Sequence, residues 1–251
     1  MVASTALFAF VEPGFPNEDG AWEYALGMLL GFAIVSTVFF ATWRYVIHVL
    51  EPQSEGRWRI FPPYIVLAAF LVLMARLAHF LPGVVLGTVA EYEPKKKLNR
   101  RTAGIRVAWT YGALLLVGLI AWFAWIPVSH NADHEGASSL TLILDSMLAI
   151  IFVSSLESVC FGLIPMTFLD GNDLYVWKRP LWAAMWGASL VWFAVAIMHP
   201  ALNTYSHISS RGAIVFGLLF ASLMLIAVIT WGYFRLREAR WARAEKSPTT
   251  L

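Results

Sequence analysis

The 251-residue sequence is 59% hydrophobic and only 14% charged, with a mean hydropathy of +0.66. A soluble domain carries about a quarter of its residues charged, so this composition excludes an ordinary water-soluble globule and, equally, a disordered chain. What remains is an all-α, polytopic helical membrane protein whose apolar side chains face lipid as well as each other. The net charge of +2 matters less than where the basic residues fall. The lone Cys160 excludes an intramolecular disulfide, a CxxC redox pair and a four-cysteine metal site.

In chain order, residues 1–21 read as an N-terminal interfacial segment. They hold one short apolar run, 6–11, no basic flank, and the acids Glu12, Glu18 and Asp19, which is not the pattern of a secretory signal. A membrane helix needs about 20 mostly apolar residues, and the first such stretch is 22–43, bracketed by the interface residues Trp22 and Trp43. A polar stretch, 51–59, leads to Pro62 and Pro63 and then to the apolar run 64–90, which contains Arg76 and His79. That run is broken at Pro82 and Gly83, because proline removes a backbone donor and glycine loosens the turn. Cleaner segments follow at 104–127, 140–163, 181–198 and 212–233, making six apolar segments in a transmembrane domain of 22–236, followed by a basic tail, 237–251.

Short loops rich in Lys and Arg stay on the cytoplasmic side. Lys95, Lys96, Lys97, Arg100 and Arg101 place the loop after the second segment there, against anionic lipid headgroups, and Arg235, Arg237, Arg240, Arg243 and Lys246 do the same for the C-terminus. Residues 129–139 lack Lys and Arg and suit the outer side. Six alternating spans put the N-terminus inside but leave Arg44, Arg57 and Arg59 outside. A five-span alternative makes 64–90 a re-entrant hairpin; its arm after Pro82 rises only about 13 Å, but the arm before it is long enough to cross alone. On that ground six spans are favoured.

Ionisable groups at membrane depth are functional candidates by default, and three stand out: Arg76, Asp145 and Glu157. Asp145 lies about one turn into its segment, at the outer interface or serving the helix N-terminus. Glu157 is flanked by Ser154 and Ser158, a small polar stripe that permits close helix approach. Arg76 is its economical partner, either as an ion pair that fixes packing or as part of a proton or ion pathway. His130 and His134 are four apart, but they lie in the loop-like string SHNADHEGASS with Glu after the second His, so no HExxH and no metal site is expected. No cofactor-attachment pattern occurs.

The most distinctive string is FGLIPMTFLDG at 161–171, followed by NDLYVWKRPLW at 172–182. Phe161, Gly162 and Pro165 close the preceding span, and Leu169, Asp170 and Gly171 read as a tight turn. Trp177, Lys178 and Arg179 mark the cytoplasmic interface, and Pro180 opens the next helix. This string, with WKRPLW at 177–182, WRIFP at 58–62 and ARLAHFLPG at 75–83, resembles the actinobacterial FGLLP motif-containing membrane proteins. The pieces occur in the family's order over residues 58–235, with Ile164 in place of a leucine and without the large extracytoplasmic N-terminal modules of many members. The resemblance implies a multi-pass protein of the bacterial cytoplasmic (inner) membrane and implies no activity. A weaker similarity links Pro165, Leu169, Asp170 and Gly171 to the second metal-binding element of site-2 intramembrane metalloproteases, in which the aspartate is a zinc ligand. The paired histidines and glutamate of such an enzyme are missing, so this similarity implies at most a catalytically degenerate relative.

Three functions therefore compete. The favoured one is a non-enzymatic scaffold, anchor or accessory subunit of a larger membrane assembly, with other membrane subunits and the lipid bilayer as partners and no nucleic acid. The second is a small-solute or ion/proton transporter that uses Arg76, Glu157 and the broken segment. The third is an enzyme, either a metalloprotease relative, catalytically degenerate, or a lipid-modifying protein, with Glu157, Asp170 and Asp173 near the inner interface.

Overall fold

The computed structural model describes residues 20–54, 56–60, 90–93, 96, 98–132, 134, 136–166 and 169–198, and, singly, 225, 229, 232 and 233. Arg76, Lys95 and Lys97, the break at Pro82 and Gly83, most of the segments 64–90 and 212–233, and the tail 237–251 lie outside them. In the unit Met1–Ile208 the elements are α1 (Ala21–Leu50), a 3-10 turn (Pro52–Ser54), β1 (Arg57–Ile60), β2 (Ala90–Glu93), α2 (Arg100–Ala132), α3 (Ser139–Gly162), α4 (Asp170–Trp177) and α5 (Arg179–Met198). The described fold is thus helical apart from one antiparallel ribbon, which pairs Arg57 with Glu93 and Ile60 with Ala90. In the unit Ser209–Leu251, the described residues Leu225, Ile229, Gly232 and Tyr233 are helical.

Among the described residues three helices, α1, α2 and α3, are long and apolar enough to cross a bilayer. Both α1, with 30 residues, and α2, with 33, outrun the expected spans. At about 1.5 Å per residue they reach roughly 45–50 Å, beyond a hydrocarbon layer of about 30 Å. From Trp43 through the roughly two added turns, α1 is amphipathic: Trp43, Val46 and Ile47 are buried while Arg44, Tyr45 and His48 are exposed. At its other end α2 passes through Pro127 and runs to Ala132, so Ser129 and His130 lie on a helix and not in the expected loop. A proline there removes one bond from the last turns, a cost that this long, packed helix absorbs.

Helix α3 is the central element: half of its apolar stretch is buried, against 22% for α1 and 28% for α2. It packs on α1 through Gly27 and Gly31, a glycine pair four residues apart that lets helices approach closely. A Cβ on Gly27 would lie 1.9 Å from Ser146 Oγ, and one on Gly31 2.8 Å from Ile150 Cγ2. Polar contacts fix direction. Ser139 Oγ donates to Glu23 Oε1 at 3.0 Å, joining the first turns of α1 and α3, which therefore run parallel. Asn99 N donates to Glu51 Oε1 at 3.0 Å, joining the end of α1 to the start of α2, which therefore runs antiparallel to both. Six single crossings would make α1 and α2 parallel, so the packing does not support that expectation.

The α1–α2 junction is held by Glu51. Its carboxyl is kept below the ordinary value of 4.5, chiefly by the Thr102 hydroxyl, against the opposing effect of burial, with further help from Asn99 N–H and Ser54. A carboxyl lowered on folding stabilises the fold fully above its ordinary value, and that contribution is lost as pH falls through the lowered one. The thermal midpoint of the detergent-solubilised protein should therefore drop on acidification below about 4.5, and more steeply than that of Glu51→Gln. Equal slopes for the two proteins would remove this role.

Candidate functional site

The polar residues that the fold gathers lie at the end where α1 stops and α2 begins. Arg106, six residues into α2, is only 5% exposed. Its Nη2 donates to Asp170 Oδ1 at 2.7 Å and to Asp173 Oδ2 at 3.2 Å. Its guanidinium carbon lies 3.9 Å from the ring centre of Trp43 on α1. Tyr111, just over one turn further along α2, donates its hydroxyl to Asp170 Oδ2 at 3.1 Å. Phe39 meets Tyr111 edge-on at 6.0 Å. One cation thus joins three helices: an aromatic face from α1, the guanidinium and a phenol from α2, and two carboxylates from α4.

The motif explains how α4 comes to sit there. Leu169, Asp170 and Gly171 do not form the expected isolated turn: Leu169 is the N-cap of α4, and Asp170 is its first residue. Starting a helix there sets Asp170 and Asp173 three apart, on one face, and in the first turn, where the helix dipole favours negative charge. Gly162 and Gly171 are required by space. A Cβ on Gly162 would lie 2.2 Å from Tyr111 Oη, and one on Gly171 2.3 Å from the backbone carbonyl of Leu163. Between them Leu163, Ile164 and Met166 are buried, and Pro165, without an N–H, prevents α3 from continuing.

The second half of the motif closes the end of α3. The last carbonyls of a helix lack internal partners; here Trp186 Nε1 donates to Cys160 O at 3.0 Å and Trp182 Nε1 to Leu163 O at 2.7 Å. Trp182 also meets Tyr175 edge-on and stacks on Trp186. The Arg179 guanidinium lies over the Tyr175 ring at 5.0 Å. Arg100, expected at lipid headgroups, donates to Val176 O near the C-terminus of α4. Arg101 and Lys96 are exposed.

The other expected residues are elsewhere. Asp145 accepts from Trp125 Nε1 at 2.7 Å, so it links α3 to α2; the N-cap of α3 is Ser138, whose hydroxyl accepts from Thr141 N. Glu157 is 3% exposed on α3, and its pairing with Arg76 falls outside the described residues. Of the serines near Glu157, Ser154 and Ser158 are half-buried, whereas Ser155 is fully buried against Gly118. His130 and His134 are neighbours, with ring centres 5.4 Å apart, and among the described residues no group of three metal-ligating side chains occurs. Asp170, the position similar to a zinc ligand, has Arg106 and Tyr111 as its partners.

Sequence reasoning missed Arg106 and Tyr111. Arg106 is a charge two positions inside the expected span 104–127, and Asp170 with Asp173 shows helical i, i+3 spacing. Together those two signals called for a shared cation.

Comparison with known protein families, with curated proteins and with solved structures gives no match. Among the described residues the fold is a helical bundle with three membrane-length helices and a short helix pinned to one end.

Removing one partner of a buried pair costs more than the pair contributes, because the other charge is left uncompensated. Arg106→Gln should therefore lower stability by about 3 kcal/mol, read as the unfolding midpoint in detergent. Asp173→Asn, at the half-exposed end of the network, should cost under about 1 kcal/mol. Equal effects of the two substitutions would sink the clamp.

Proposed function

We propose that this protein is a non-enzymatic scaffold, anchor or accessory subunit of a larger membrane assembly, in a bacterial cytoplasmic membrane, and that it belongs with the FGLLP motif-containing proteins. The observation that carries this reading is how the motif's chemistry is used. Both aspartates, both glycines and all three tryptophans of the 161–186 region engage the chain's own helices. The motif is thereby a device for holding α4 and α5, and the surfaces left for partners are apolar helix faces. On α2 these are Trp109, Leu116, Ile120 and Phe123, each at least 58% exposed, and on α5 Val191 at 65%.

A photo-crosslinking amino acid at Leu116, Ile120 or Val191 in native membranes should give a protein adduct of one discrete mass, and one at the buried Leu114 should give none. Lipid adducts alone at all three exposed positions would overturn the reading.

The same reading includes five spans, with the basic ends inside. Antiparallel α1 and α2, with their joined ends at Glu51 and Asn99, are supported by the ribbon that brings residues 60 and 90 together. In this arrangement the two ends of the intervening segment lie on one face, as a re-entrant segment requires. Arg44, Arg57 and Arg59 then fall on the cytoplasmic side with Lys96, Arg100 and Arg101, and the conflict created by six spans disappears. Because Cys160 is fully buried, single cysteines can be read cleanly. Gln53→Cys and Lys96→Cys should react with an impermeant maleimide only in inverted vesicles, and Gly136→Cys only in right-side-out cells. Opposite sidedness for Gln53 and Lys96 would restore six spans.

A further inference from the structure

The last turn of α4 and the basic start of α2 are more than seventy residues apart in sequence, yet the fold puts them side by side. Arg100 bonds Val176 O, and Gly104 faces Trp177 so closely that a Cβ would lie 2.4 Å from its side chain. The first turn of α2 therefore touches the last turn of α4. Arg101 on one side, and Lys178 and Arg179 on the other, each adjoin that contact, and all three are exposed. Three described acids at this end are already engaged: Asp170 and Asp173 by Arg106, and Glu51 by Asn99, Ser54 and Thr102. No described carboxylate forms a salt bridge with Arg101, Lys178 or Arg179. Among the described side chains the result is a rim of positive charge with no salt-bridged counter-charge.

Arg101 also stands at the head of a lipid-facing line. At steps of three or four residues that side of α2 continues through the half-buried Ile105, then Trp109 and Gly112, to Leu116, Ile120 and Phe123. A Cβ on Gly112 would meet nothing within 4 Å. Trp109 is about 12 Å further along the helix than Arg101, which places an exposed indole and the open space at Gly112 below these cations. A phosphate carrying acyl chains fits this arrangement at both ends.

We propose that Arg101, Lys178 and Arg179 form a headgroup site for an anionic phospholipid, with an acyl chain lying along Trp109 and Leu116. The site rests on the membrane reading above and deepens it. The test is native mass spectrometry of the full chain in detergent, titrated with phosphatidylglycerol and phosphatidylcholine of identical chains.

The wild type should retain phosphatidylglycerol preferentially. Arg101→Gln, and separately Lys178→Gln with Arg179→Gln, should weaken that preference by about fivefold per charge removed. The charge-keeping pair Lys178→Arg with Arg179→Lys should retain it, and Arg44→Gln, an exposed cation on α1, should leave it unchanged. Equal binding of the two lipids would overturn the site. So would a loss in Arg44→Gln as large as in Arg101→Gln, which would mean diffuse attraction, or displacement of the lipid by millimolar inorganic phosphate, which would mean that the chains contribute nothing. A chain that stays folded and monodisperse without detergent would instead overturn the membrane reading itself.

Discussion

A guanidinium drawn below the surface of a helical bundle has to be neutralised where it sits, because an isolated charge in a low-dielectric surrounding is far more costly than any packing gain. Arg106 meets that demand with two carboxylates and an aromatic face. Those groups come from helices that are distant in sequence, so the position of one side chain sets the position of three backbones. Helix α4 has only eight residues, too few to be stable alone. It is held at its start by Arg106, at its end by Arg100, and along its length by the close fit of Gly104 and Gly171 to their neighbours.

A second requirement is directional. Once α1 and α3 run parallel, with α2 between them in sequence and antiparallel to both, the polar ends of the three helices collect at common faces. At one end Glu51 joins α1 to the start of α2; at the other Ser139 joins α3 to Glu23. Small residues make this possible. The glycine pair of α1 lets α3 into the centre of the bundle, where its Phe152, Leu156 and Val159 are almost wholly buried.

How much of this was readable depends on the kind of signal. Long apolar runs name helices with little ambiguity, and α3 and α5 begin and end within a residue or two of expectation, at Ser139 and Gly162 and at Arg179 and Met198. Runs say nothing about where an amphipathic extension continues a helix into polar sequence, so the ends of α1 at Leu50 and α2 at Arg100 were set too short. The motif 161–171 stands out in the sequence, but its second half reads as a turn, because Leu169, Asp170 and Gly171 have turn composition. What makes it a helix is tertiary: Gly171 lies against the Leu163 carbonyl, and Arg106 waits for the two aspartates. Attention to mid-span charges favoured Arg76, Asp145 and Glu157 over Arg106, although a charge near a helix end is the one best placed to find partners on an interfacial element.

The two attachments of the motif differ in kind. Helix α4 is fastened to α2 by opposite charges, whereas α3 is fastened to α5 by neutral indole donors that meet backbone carbonyls. An indole N–H neither titrates nor carries a net charge that counter-ions could screen. Concentrated salt therefore acts on the first attachment, chiefly at its half-exposed Asp173 end, and leaves the second in place. The region between them becomes a graded joint in which α4 can loosen while α3 and α5 stay in register.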